Sequence, residues 1–267
     1  MKPNRKLTLV FIRGLIRDRR HWYGFVEKIS SNVPSEWKNT LRYKEIDLPV
    51  SSNPVVALTE LTNPDKVIND LAEELPSGPF FVVSVSLGAL VSLQMFRRFP
   101  TRMVGLVMIN SSHPSLSRFY ERIDLKSGLG ILKKVVEDPL LAEQKILDLT
   151  VNKRHIYERL KGHMTRKFDG RPWTVLQLFS QLLLALSCKD LPSEFSDKIL
   201  ILASENDRLV PSKNSKRIAS KLGATIRLHN TAGHDLTSED PEWCIKKILH
   251  FLKSRKILEL ADLKEIA

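Results

Sequence analysis

Three side chains able to carry out acyl transfer stand far apart along the chain: Ser86, Asp207 and His234. Ser86 lies in Val82-Val83-Ser84-Val85-Ser86-Leu87-Gly88, where a strand-like run passes into a helix-like one. A nucleophile on such a bend needs small residues two positions to either side, because the strained turn brings them close together. Ser84 and Gly88 meet that need. The bend also aims the N–H of Leu87 at the space beside the Ser86 hydroxyl, where an oxyanion would form. Alone, the motif equally describes a serine in an ordinary strand-to-helix turn.

A serine hydroxyl is a weak nucleophile until a base accepts its proton, and the base needs an orienting partner. His234 sits in Thr231-Ala232-Gly233-His234-Asp235, after the strand-like run Ala224–Leu228. Asp207 sits in Ser204-Glu205-Asn206-Asp207-Arg208-Leu209-Val210-Pro211, after Lys198–Ala203. Singly, one reads as a surface-loop histidine and the other as a turn former. Together they carry more weight. All three residues directly follow strand-like runs, where open parallel sheets gather reactive groups, and their chain order is Ser, Asp, His. The chemistry expected is attack of Ser86 on an acyl carbonyl, with His234 taking and returning the proton and Asp207 holding the imidazole. That chemistry needs no metal or organic cofactor.

The elements that must position these groups alternate in type. Leu7–Ile12, Tyr43–Leu48, Phe80–Ser84, Val104–Ile109, Lys198–Ala203 and Ala224–Leu228 read as strands, most of them rich in apolar residues. Trp22–Ser30, Asp65–Leu75, Leu87–Phe96, Ser212–Leu222 and Pro241–Phe251 have helical spacing. Such alternation predicts an α/β fold with a mostly parallel sheet flanked by helices. Residues 1–112 and 189–267 then form the core. Between them, 113–188 offers helical patterns and no convincing strand, so a helical insertion is expected.

The 267 residues suit one large domain with an insertion, and 42% hydrophobic content excludes a disordered or collagen-like chain. Cys188 and Cys244 are too few for a disulfide framework and have no metal-ligand spacing. No secretory signal pattern or membrane-length apolar run is present, since Val175–Leu186 is interrupted by Gln177, Ser180 and Gln181. A soluble cytoplasmic protein is expected. The net charge of +12 is dispersed; its densest cluster is Arg13, Arg17, Arg19 and Arg20, with His21 beside it. Dispersed charge usually means a solvated surface, and no nucleic-acid recognition motif accompanies it.

With these motifs in hand, the chain resembles the α/β-hydrolase superfamily over most of its length. Val83–Gly88 matches the nucleophile elbow, Glu205–Pro211 the acid loop, Ala232–Leu236 the histidine loop, and His113–Cys188 the position of the cap. Ile12-Arg13-Gly14-Leu15 matches the oxyanion loop, so the resemblance implies Leu15 as the second N–H donor beside Leu87. Glu45-Ile46-Asp47-Leu48-Pro49 is similar to the Asp-x-Pro turn. Within the superfamily the chain looks most like small cytoplasmic serine carboxylesterases of the pimeloyl-acyl-carrier-protein methyl ester esterase type, with Asn110-Ser111-Ser112 as one shared feature. Three departures stand out. Ser84 replaces the first glycine of the elbow, Arg13 replaces the usual histidine before Gly14, and no Gly-x-Gly follows Pro49.

The resemblance implies an esterase or thioesterase acting through an acyl-enzyme. Phe119, Tyr120, Phe168, Trp173, Leu176 and Phe179 are candidates for an acyl pocket, or else pack the cap onto the core. Trp22 would floor the pocket or anchor the core. The arginine cluster, Arg13 foremost, could attract an anionic ester, a coenzyme A thioester or an acidic carrier protein. The alternative is a non-catalytic ligand- or partner-binding protein of the same fold.

Overall fold

The structure, a computed structural model, describes residues 6–51, 53–124, 126, 128–130, 133, 139–167, 175–192 and 196–259. Six strands, β1 (Leu7–Ile12), β2 (Leu41–Ile46), β3 (Phe80–Val85), β4 (Met103–Ile109), β5 (Ile199–Ser204) and β6 (Thr225–His229), make one sheet. Their order is β2-β1-β3-β4-β5-β6, and every neighbouring pair is parallel. This is the α/β-hydrolase architecture, a parallel sheet flanked by helices.

The four inner strands are buried at every position, as parallel strands covered on both faces must be. Alternation along β1 sends Val10 and Ile12 to one face and Leu9 and Phe11 to the other. The first face packs against Leu90 and Leu93 of the helix Leu87–Arg98. The second packs against Trp22, Phe25 and the Ile248 and Phe251 side of the helix Pro241–Ser254.

Differences from the sequence reading fall at edges and turns. Strand β2 runs Leu41–Ile46 rather than Tyr43–Leu48, because its pairing with β1, Leu7 opposite Leu41 through Ile12 opposite Ile46, sets where it ends. The stretch expected as one helix, Trp22–Ser30, is a short 3₁₀ turn at Arg19–Trp22 and a helix at Phe25–Asn32. Tyr23 and Gly24 separate them with φ of 49° and 81°, a left-handed step that glycine accepts without strain. The helix Pro54–Thr59 was not foreseen; Asn53 caps it by accepting from the Val55 N–H at 2.9 Å.

Within 113–188 the described residues form the helices Phe119–Arg122, Pro139–Thr150, Arg154–Lys167 and Val175–Ser187, and none is in a strand. The last of these lies on Leu87–Arg98 and Pro54–Thr59. No helix among the described residues is long and apolar enough to cross a membrane. Cys188 and Cys244 are both buried free thiols.

The two ends of this segment are tied by His113, which is fully buried. Its Nε2 faces the Asp190 carbonyl at 3.2 Å, and its Nδ1 faces the Ser115 N–H at 3.2 Å. One nitrogen donates and the other accepts, so the neutral ring is satisfied and a second proton would confront an N–H. Burial pushes its pKa down to about 4, with Arg122 adding to the effect. The lowered pKa stabilises the fold fully above about pH 6.5, and this contribution fades as the pH falls toward 4. Denaturant unfolding of wild type is therefore expected to lose roughly 2 kcal/mol more between pH 7.5 and 4.5 than that of His113→Gln. Equal losses would assign the acid sensitivity to other groups.

Candidate active site

Ser86 stands between β3 and the helix Leu87–Arg98, at φ 55° and ψ −118°. A non-glycine residue there stores roughly 1–3 kcal/mol of strain, which persists only when its surroundings over-determine it. Here they do. The Ser86 N–H continues the sheet ladder to the Ile109 carbonyl at 2.9 Å, and the Ser86 carbonyl accepts the Ser111 hydroxyl at 2.9 Å. A Cβ on Gly88 would fall 2.7 Å from the Ile12 carbonyl oxygen and closer still to that of Arg13. A Cβ on Gly14 would lie 2.8 Å from the Cβ of Ser86. Both glycines therefore let the β1 exit loop press against the elbow. Ser84 is fully buried, and its hydroxyl donates to the Val107 carbonyl at 3.3 Å, so this departure is satisfied within the sheet.

Asp207 and His234 meet at the ends of β5 and β6. His234 Nδ1 lies 2.7 Å from Asp207 Oδ2, and Asp207 Oδ1 accepts the N–H groups of Leu209 and Val210, each at 2.8 Å. A carboxylate so anchored puts the imidazole proton on Nδ1 and leaves Nε2 as the proton acceptor. Ser86 and His234 line the same cleft, of about 540 Å³. Ser86 also opens onto a second cleft of about 530 Å³, walled by Leu15, Leu87, Phe119 and Leu182. The nucleophile candidate thus stands where two clefts join, with both oxyanion candidates on the wall of one.

Several residues position these groups without having been site candidates themselves, although Asn110 belongs to the Asn110-Ser111-Ser112 feature noted in the sequence. Asn110, itself at φ 46°, donates to the carbonyls of His234 (2.8 Å) and Gly233 (3.3 Å) and accepts the Ser204 N–H at 2.7 Å. One amide thus binds the ends of β4 and β5 to the histidine loop. The buried Glu239 accepts from the N–H groups of Gly233 (2.7 Å), Asn152 (2.9 Å) and Lys153 (3.0 Å), fastening that loop to the turn between the helices Pro139–Thr150 and Arg154–Lys167. Gln181, a polar residue within an apolar helix, accepts the Ile16 N–H at 2.7 Å and holds the loop that carries Leu15.

The arginine cluster divides into buried and exposed halves, each facing acids. Arg13 donates to Asp235 at 2.5 Å, and Arg17 lies 3.7 Å from the other oxygen of the same carboxylate. Burial pushes the Asp235 carboxyl up, but Arg13 and Arg17 outweigh it and hold the pKa down to about 2. Asp235 directly follows His234, so this ion cluster clamps the β1 exit loop to the histidine loop. Arg19 pairs with Asp47 at 2.8 Å, and Arg20 with Asp18 at 2.5 Å. Trp22 lies in the core beneath Arg13, whose guanidinium sits 5.0 Å from the indole centre, and stacks on Phe25. Phe119 lines the second cleft; Tyr120 and Phe179 are exposed and line neither. Trp173 and Phe168 lie outside the described residues.

The profile of the family described as serine aminopeptidase, S33 (Hydrolase_4) matches residues 61–241, more than half of the chain, and this span contains Ser86, Asp207 and His234. A Rhizobium rhizogenes protein named as a candidate carbamate hydrolase, RutD, is 27% identical over 192 residues, which are 70% of this chain and 71% of that one. Among solved structures, a candidate aryl esterase from Burkholderia cenocepacia superposes with a TM-score of 0.67 at 18% identity, over 95% of this chain and 92% of its own. An α/β-hydrolase fold protein from Chitinophaga pinensis gives 0.67 at 15% identity over the same shares. These two likenesses are of fold.

Proposed function

Because the chain belongs to the serine aminopeptidase S33 family (Hydrolase_4), we propose that this hydrolase cleaves a carboxylic ester or thioester through an acyl-enzyme on Ser86. The observation that carries the reading is the His234–Asp207 pair at 2.7 Å on the wall of the cleft that holds the strained Ser86. Ser86 Oγ bonds to the acyl carbon as its proton passes to His234 Nε2. The carbonyl electrons move onto oxygen, where the N–H groups of Leu15 and Leu87 stabilise them; one such donor is worth about 3–4 kcal/mol. The bond to the alcohol or thiol then breaks, and the leaving group takes the proton from His234. Water adds to the acyl-enzyme by the same route in reverse, releasing the acid and restoring Ser86.

Strain at Ser86 fits this role, since a strained elbow keeps the hydroxyl projecting from the sheet edge rather than folded against the helix. The relative named for carbamates makes a carbamate the C–N substrate to assay beside esters. If the leaving group is borne by an acidic carrier protein, Arg19 and Arg20 are the exposed members of the basic cluster that would face it. Labelling by a neutral fluorophosphonate tests the reading. The native protein is expected to label and Ser86→Ala to give no label. A folded native protein that stays unlabelled and turns over no ester would favour the non-catalytic binding protein instead.

A further inference from the structure

We propose that the second cleft, the one walled by Leu15, Leu87, Phe119 and Leu182, recognises a carboxylate through Arg122, so that the substrates are esters or thioesters whose arm in that cleft ends in a carboxylate group. The inference rests on the serine hydrolase reading for the reaction and on independent geometry for the anion.

Arg122 ends the short helix Phe119–Arg122, and its residue is only 6% exposed, yet it lines the cleft that Ser86 opens onto. Its Nε donates to Ser112 Oγ at 3.2 Å, and one terminal nitrogen donates to the Ala185 carbonyl at 2.9 Å. Both partners are neutral, and no carboxylate among the described residues lies within ion-pair distance. Its buried neighbours are neutral too at physiological pH. Burial pushes the Cys188 thiol up to about 12, and His113 titrates near 4. Burial accordingly depresses Arg122 itself, down to about 10, and it remains a cation at neutral pH.

This is the reverse of Arg13 and Arg17, which share Asp235. A buried cation without a counter-ion carries an uncompensated desolvation penalty, which a well-placed anion offsets. The two hydrogen bonds hold the guanidinium plane between β4's exit and the helix Val175–Ser187, leaving its remaining donors for a ligand. A planar fork matches a carboxylate in geometry, and a single positive charge matches its single negative one. A phosphate dianion would leave a charge uncompensated among Leu15, Leu90, Phe119 and Leu182.

The test compares mono-4-nitrophenyl esters of succinic, glutaric and adipic acids with neutral 4-nitrophenyl esters of equal chain length. Wild type is expected to favour one of the anionic esters by 30-fold or more in kcat/KM, within the range of a charge-assisted hydrogen bond. Arg122→Met is expected to collapse that ratio, and Arg122→Lys to restore part of it. Arg122→Met lowering both ester classes equally would make Arg122 a structural tie and overturn the proposal. Collapse in Arg17→Met but not in Arg122→Met would move the anion to the other cleft and overturn it too.

Calorimetric titration with glutarate needs no turnover. Binding that weakens about 30-fold in Arg122→Met supports the site even if the protein fails to label with fluorophosphonate. Labelling with no glutarate binding and no anionic preference sinks the site alone. Inorganic phosphate competing as well as glutarate would remove the carboxylate assignment.

Discussion

Replacing Asp207 by Asn is expected to lower kcat for ester hydrolysis about 10⁴-fold while leaving the melting temperature nearly unmoved. The reason lies in how the carboxylate is held. Oδ1 accepts two backbone N–H groups, from Leu209 and Val210, so an asparagine must keep its carbonyl oxygen on that side. Its NH₂ then faces His234 Nδ1, which must turn from donor to acceptor. The ring proton moves to Nε2, the nitrogen that should take the proton of Ser86, and general-base catalysis stops. Shape and burial barely change, so stability should hold. The measurement is steady-state hydrolysis of a 4-nitrophenyl ester beside a thermal melt. A loss below tenfold would mean that the imidazole is oriented by something other than Asp207. A loss of activity matched by a large fall in melting temperature would reduce the result to damage of the loop.

Arg13→Met should destabilise the fold by roughly 3–5 kcal/mol, the cost of leaving a buried carboxylate without its main partner. Asp235 is almost wholly enclosed, and the 2.5 Å contact with Arg13 is its short ion pair; Arg17, at 3.7 Å, is a weaker substitute. Methionine keeps much of the packing over Trp22 but supplies no charge. The double variant Arg13→Met with Asp235→Asn is expected to recover much of the loss, because it removes the orphaned charge as well. Urea unfolding of the two single variants and the double variant gives the coupling directly. Additive losses would mean that Arg13 acts through its packing alone. Because the pair joins the loops of Leu15 and His234, the single variant should also slow ester turnover beyond what its unfolded fraction explains.

What could be read beforehand depended on how local the cause was. β1, β3, β4 and β5 announce themselves because a strand covered on both faces must be apolar at nearly every position, with only Thr8, Ser84 and Ser204 as polar exceptions. The joint placement of Ser86, Asp207 and His234 was also legible, since a parallel sheet collects whatever follows its strands. Strand β2 was displaced by two residues because an edge strand takes its limits from its neighbour, and no residue of its own marks them. The pairing of Arg13 with Asp235 spans more than two hundred residues, so those arginines read as a solvated loop rather than as a buried clamp. Arg122 gave no signal at all: in a four-residue helix nothing distinguishes a buried arginine from a surface one. Gln181 and Glu239 were hidden for the same reason, their partners being backbone groups that any sequence possesses.

The reach of Asn110 carries a consequence for synthesis. Its single amide gathers Ser204, Gly233 and His234 around the end of β4. During translation, a chain that has emerged only through Ser86 and Asn110 has nothing for that amide to hold, and neither the acid nor the base that would serve the Ser86 hydroxyl yet exists. Competence must therefore arrive in one late step, once the last strand and the turn behind it have docked. A ribosome-bound fragment would carry the hydroxyl as inert cargo, and the cell would meet the enzyme only when finished.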